Sequence, residues 1–107
     1  MTITIISNED ELDAIKSVSQ VVILDVFAPW CGPCKAIAPY FEQLAKTHSS
    51  SDVKFCKFDC TTDRDLAESL GVSSIPTFIV FEFGELKEVV TGGNKENLRN
   101  MVDRYVH

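Results

Sequence analysis

The stretch VVILDVFAPWCGPCK, residues 21–35, decides the reading of this chain. Its first eight residues form a nearly continuous apolar run, as in a strand buried on both faces. Two cysteines three apart follow, Cys31 and Cys34, around Gly32 and Pro33, with Trp30 in front and Lys35 behind. From Cys34 to His48 the pattern turns helical: Ile37, Phe41, Leu44 and Ala45 recur at i, i+4, i+7 and i+8. Pro39 falls inside that helix and is expected to kink it. The cysteines therefore sit where a strand hands over to a helix. Three uses compete: a structural disulfide, half of a zinc site, or a thiol pair that does chemistry.

The helix start gives the third use its physics. Unpaired backbone N–H groups and the helix dipole favour a negative sulfur at Cys31, which raises its thiolate fraction near neutral pH. Side chains at i and i+3 have Cβ atoms about 5–6 Å apart, whereas a disulfide needs about 3.5–4.5 Å. A small adjustment thus opens or closes the pair. Pro33 suits a first helical turn, where its missing N–H costs nothing, and Gly32 lets a partner chain approach closely. Lys35 adds a little positive charge or is simply a solvated lysine.

The other two uses fare worse. With 107 residues, 45% of them hydrophobic, the chain can build one domain, 1–107, around its own core and needs no disulfide framework. The start, MTITIISNEDELD, lacks a basic n-region, so no signal peptide is expected. That points to a reducing, cytoplasmic compartment. Zinc would need Cys56 and Cys60, which complete a C-x2-C, C-x3-C spacing. Yet VKFCKFDC, residues 53–60, reads as a strand, which sets those two about 13 Å apart. Two sulfurs on one zinc lie within about 4 Å of each other. Cys56 and Cys60 therefore read as small buried hydrophobes, with a regulatory thiol at Cys60 as the lesser alternative. A net charge of −6 argues against nucleic acid and anionic membrane as partners, since both select clustered Lys and Arg. No apolar run is long enough for a membrane span.

Asp25 interrupts the apolar strand, on the face shared by Ile23 and Phe27. It is either an aspartate at a wet strand edge or a buried one near the cysteines. If buried, its pKa is raised and it can take a proton from Cys34. Lys57, on the neighbouring strand, either pairs with it or is a surface lysine. The ordinary preference of X–Pro bonds makes Ile75–Pro76 trans.

Around this centre, TITII (2–6) reads as a strand. Ser7 and Asp10 resemble a capping box for a helix bearing Leu12, Ile15 and Val18. Residues 61–71 form a short helix stopped by Gly71. PTFIVFEF (76–83) and LKEVVTG (86–92) flank Gly84-Glu85 as a hairpin. Asn94 caps a last helix carrying Leu98, Met101, Val102 and Tyr105. The order β-α-β-α-β-α-β-β-α predicts an α/β fold: a central mixed sheet, largely parallel, with helices on both faces and an antiparallel closing hairpin. Its parallel crossovers should be right-handed.

Asp25 six residues before Cys31, WCGPCK at 30–35, Pro39, IPT at 75–77, Gly84 and GGNKENL at 92–98 occur in the order found in the thioredoxin family. The sequence resembles that family over essentially its whole length. The resemblance implies a thioredoxin-like fold and a protein disulfide reductase working by dithiol–disulfide exchange. It implies that Cys31 is the exposed nucleophile, Cys34 the buried resolving cysteine, and Cys31–Cys34 the redox disulfide. Asp25 matches the family's buried aspartate, which accepts a proton from Cys34. Pro76 matches a cis-proline facing the cysteines, which leaves the Ile75 backbone free to pair with a substrate strand. Trp30, Gly32, Pro33, Ile75 and Gly92 would form a flat apolar docking surface. The resemblance further implies a cytoplasmic monomer that binds no metal or cofactor itself. A thioredoxin reductase would recharge it with electrons from NADPH through FAD, and its substrates would be disulfide proteins such as peroxiredoxin or ribonucleotide reductase. An oxidase or isomerase, and a binding module with an incidental dithiol, are the rivals. Three departures stand out. Many bacterial members carry Trp where this chain has Phe27. Phe83 occupies a usually polar hairpin turn, where it widens the apolar surface or is simply exposed. Cys56 and Cys60 are not general family features.

Overall fold

A computed structural model describes residues 2–106. Strand β1 (Ile3–Ile6) leads into helix α1 (Glu9–Val18), strand β2 (Val21–Phe27), helix α2 (Gly32–His48), strand β3 (Val53–Asp59) and helix α3 (Arg64–Ser69). Strands β4 (Thr77–Glu82) and β5 (Glu85–Thr91) and helix α4 (Lys95–Tyr105) complete the order. One five-stranded sheet runs β1-β3-β2-β4-β5. Parallel pairing joins β1 to β3 and β3 to β2; β4 is antiparallel to β2, and β5 to β4.

The continuous apolar run of β2 is explained by its neighbours. It has a strand on each side and helices on each face, and residues 21–26 are all buried. Alternation sends Val21 and Ile23 into a core shared with Ile37, Phe41, Leu44 and Ala45 of α2 and with Leu98, Met101 and Val102 of α4. Val22, Leu24 and Val26 go into the opposite core, with Leu12 of α1 and Leu66 of α3. The reversal at β4 follows from helix length. α2 spans about 25 Å at 1.5 Å per residue, enough to return the chain along a seven-residue strand. The six residues of α3 span only about 9 Å, so the chain re-enters the sheet at the end it left.

One expected boundary shifts. α1 is capped by Asn8, not Ser7: the Asn8 side chain accepts from the Glu11 N–H at 2.9 Å, and Glu11 Oε1 accepts from the Ser7 N–H at 2.7 Å. The acceptor's three-residue reach to an unpaired N–H selects Asn8. α2 starts at Gly32 with Cys31 as its cap residue, which puts Cys31 at the helix start as expected.

Phe83 does not widen a surface around the cysteines. Val21, at the start of β2, lies opposite Glu82, so the β4–β5 turn sits at the far end of the sheet from the cysteines, which follow the end of β2. Glu82 pairs with Glu85, and Phe83 and Gly84 between them have φ of 50° and 82°. Two positive φ values make a type I′ turn, which suits Asn-Gly. A phenylalanine there is strained, and it is 73% exposed. We expect Phe83→Asn to raise the urea unfolding midpoint, a gain of about 1 kcal/mol; an unchanged midpoint would show that the turn tolerates phenylalanine without strain.

Candidate active site

The end of β2 and the start of α2 place the two cysteines. After Phe27 the chain passes through Ala28 to Trp30, and Cys31 closes a turn, its N–H donating to the Ala28 carbonyl at 3.2 Å. Cys31 is in extended conformation at the α2 N-cap, and its Sγ accepts the Cys34 N–H at 3.2 Å. A sulfur thus occupies the place that serine or aspartate commonly fills at a helix start. Pro33 lies in the first turn, where no N–H is required of it. Cys31 and Cys34 are joined by a disulfide, with their Cα atoms 5.2 Å apart. The positive end of a 17-residue helix faces that bond, with no acidic side chain in the first turn to oppose it.

The expected exposure of Cys31 is corrected. Cys31 and Cys34 are each 5% exposed and pack with Ala28, against which Phe27, Cys60 and Ile75 also rest. What lies open is the rim of this patch: Trp30 is 71% exposed, Gly32 and Pro33 are exposed, and Ile75 and Gly92 are partly exposed. These rim residues do come together. Trp30 and Ile75 line one cavity of about 400 Å³. A Cβ on Gly93 would meet the Pro33 carbonyl at 3.5 Å, so the loop after β5 abuts the helix start. Gly92 makes that loop possible with φ 92°, and its N–H donates to the Pro76 carbonyl at 2.8 Å.

The Ile75–Pro76 bond is cis, against the ordinary trans preference and in accord with the family resemblance. Pro76 is buried, and it is Ile75 that packs toward the cysteine pair. β4 begins only at Thr77. Among the described residues the Ile75 backbone N–H and carbonyl take no hydrogen-bond partner.

Asp25 is buried, at 2% exposure, and is no wet-edge residue. Among the described residues its Oδ1 has no hydrogen-bond partner. Burial pushes its carboxyl up to about 7, and the positive charge of Lys57 partly opposes that rise. Lys57 sits directly across from it in the β2–β3 register, yet the expected pairing is not made. The ammonium instead lies over the Phe27 ring, 4.7 Å from the centroid. Phe27, Ala28, Cys34, Lys35, Ala38 and Lys57 share a cavity of about 190 Å³, which reaches Cys34 from behind. Sequence reasoning passed over Phe27 as a site residue, because only the strand register brings Lys57 onto it.

The remaining cysteines differ from each other. Cys56 is fully buried in the core under α1 and α3, where burial pushes its thiol up to about 12. Cys60 lies one residue past β3, is half-buried, and packs beside the disulfide. It bridges the two, packing against the core under α1 and α3 as well as against the cysteine pair. Burial and then Asp59 hold its thiol above the usual range. Among the described residues no group of three or more His, Cys, Asp or Glu is placed to hold a metal ion, and no helix is long and apolar enough to cross a membrane.

Comparison with known proteins agrees with this geometry. A thioredoxin family model matches residues 3–104. Thioredoxin 1 of Plasmodium falciparum is 35% identical over 103 residues, covering 96% of this chain and 97% of that one. A solved structure of Plasmodium falciparum thioredoxin superposes with a TM-score of 0.89, covering 95% and 98% of the two chains. A further similar structure concerns thiol resolution in yeast mitochondrial 1-Cys peroxiredoxin via glutathione/thioredoxin systems; it is 28% identical and superposes with a TM-score of 0.87, covering 95% of this chain and 94% of that one. With its cysteine pair at the tip of α2 and this likeness along nearly its full length, the chain belongs to the thioredoxin family of thiol–disulfide oxidoreductases and works by dithiol–disulfide exchange.

Proposed function

We propose that the chain is a general protein disulfide reductase in which Cys31 attacks and Cys34 resolves. The observation that carries this is the Cys31 sulfur at the α2 N-cap, accepting a backbone N–H and bonded to Cys34. In the reduced protein the same N–H and the helix dipole stabilise a Cys31 thiolate. That thiolate attacks one sulfur of a substrate disulfide; a Cys31–substrate bond forms and the other substrate thiolate leaves. Cys34 then gives its proton to Asp25 and attacks the Cys31 sulfur. The Cys31–Cys34 disulfide forms, and the second substrate thiolate leaves and is protonated. The substrate gains two electrons and the pair loses two. An aspartate held near neutrality by burial can take that proton at physiological pH.

The rim supports protein substrates. Trp30, Gly32, Pro33, Ile75 and Gly92 offer a mostly apolar seat, and the unpaired Ile75 backbone can accept an extended segment as an added strand. Peroxiredoxin and ribonucleotide reductase are fitting substrates. Recharging falls to a thioredoxin reductase that draws on NADPH through FAD, so the chain itself, a single domain acting as a cytoplasmic monomer, needs no bound cofactor or metal. Pro76 shapes the approach to Ile75.

The redox potential tests the direction of electron flow. Equilibration with glutathione buffers should place the pair at the potential where thioredoxins stand, about −270 mV, a family value and not one derived from this geometry. A value near about −120 to −180 mV would make the protein an oxidase or isomerase instead.

A further inference from the structure

Lys57 faces a choice of partners. Across the β2–β3 register it is level with Asp25, a strand spacing of about 4.8 Å away at the backbone. Asp25 Oδ1 is buried and has no partner among the described residues. A mobile ammonium so close to an unsatisfied carboxyl should close on it. It does not: among the described residues the ion pairs are Lys16–Asp13, Lys87–Glu85 and Arg104–Glu88. The Lys57 ammonium sits over the face of Phe27, where the ring quadrupole attracts it. Phe27 is fixed in turn. It ends β2, its carbonyl accepts the Cys60 N–H at 2.9 Å, and its side chain packs beside the disulfide.

We propose that Phe27 is a positioning residue for the Cys34 step: its ring docks the Lys57 ammonium and so holds that cation off the Asp25 carboxylate. This rests on the reading above that Asp25 takes the Cys34 proton. The ring keeps Asp25 from being locked as a permanently charged ion-pair partner, in which state it would be a poor proton acceptor. Few other groups compete for the role. β3 also carries Asp59, but its Oδ1 is engaged by the Thr61 N–H and hydroxyl at 2.9 and 2.7 Å. α2 contributes Cys34, which is bonded in the oxidised form, and the exposed Lys35 on the rim of the same cavity. β4 sets the apolar Phe78 opposite Asp25, and the buried residues of α4 are Leu98, Met101 and Val102.

The test is a direct titration of the Asp25 carboxyl by carbon-13 NMR in the oxidised protein, which needs no catalysis. Phe27→Leu frees Lys57 to approach Asp25 and should lower the Asp25 midpoint by about half a unit to one unit. In a Lys57→Met background the same Phe27→Leu change should produce no shift. Phe27→Trp, which keeps a stronger cation-binding face, should leave the midpoint at or above the wild-type value, and it serves as the reporter should the leucine variant fold poorly. The pH profile of mixed-disulfide release should move with the midpoint. No shift in Phe27→Leu, an equal shift with and without Lys57, or a drop in Phe27→Trp would overturn the proposal, since water entry or looser packing would then account for the data. If the midpoints behave as expected while the release profile stays put, the positioning stands and the assignment of Asp25 to Cys34 fails.

Discussion

Cys31→Ser will stop insulin reduction, by at least about 10³-fold, or roughly 4 kcal/mol of barrier, whereas Cys34→Ser will leave the first attack intact and accumulate a mixed disulfide. The asymmetry follows from the helix. Only the Cys31 sulfur occupies the N-cap and accepts the Cys34 N–H, so only that sulfur has both a hydrogen bond and the dipole to favour its anion. A serine hydroxyl there can cap the helix but does not ionise near neutral pH. Cys34 is one turn in, equally buried, and bonded to Cys31. Without it the Cys31–substrate bond has no internal attacker. Cys56 cannot substitute, being fully buried with a thiol pushed up to about 12. Cys60 is the nearest alternative, but its thiol is also held above the usual range. Turbidity of reduced insulin measures the first outcome, and mass spectrometry after a single turnover measures the second. Residual catalysis in Cys31→Ser, or prompt release from Cys34→Ser, would mean another sulfur does the work.

The second large effect is on stability. Asp25→Asn should stabilise the oxidised protein at pH 8 by about 4 kcal/mol and change little at pH 4. The Asp25 carboxyl titrates near 7 when folded and near its ordinary 3.8 when unfolded. Between those values the native chain holds a proton that the unfolded chain has released. Stability therefore falls as pH rises from about 4 to about 7, and the loss is complete above 7. Some three pH units at 1.36 kcal/mol each give the stated magnitude. Asparagine has the same shape and never ionises, so it escapes the penalty. Urea unfolding at the two pH values reads this directly; an equal gain at both would assign the effect to packing rather than charge. On the proposed role of Asp25 as acceptor of the Cys34 proton, the same substitution should also slow release of a mixed disulfide roughly tenfold or more. Stability and rate thus move in opposite directions at one residue.

The strand–cysteine–helix junction was legible because its signals are local. Apolar continuity over 21–28, a helical repeat from Ile37 to Ala45 and two cysteines one turn apart involve neighbours in sequence only. The same is true of the face on which Asp25 lies, since alternation places it with Ile23 whatever the rest of the fold does. The caps were legible to within a residue: Asn8 rather than Ser7 closes α1, a difference decided by which side chain reaches a free N–H.

The order of elements, the two faces of β2 and the pair of sulfurs at a helix tip depend only on periodicity and short spacing, and so were written in the chain. Tertiary structure alone decided the rest: that Asp25 is buried, that Lys57 rests on Phe27 instead of on Asp25, that Phe83 lies at the far end of the sheet, and that the Cys31 sulfur is covered in the disulfide form. Those outcomes come from strand register and from contacts between residues distant in the chain, and a side chain's surroundings are set by whatever folds against it.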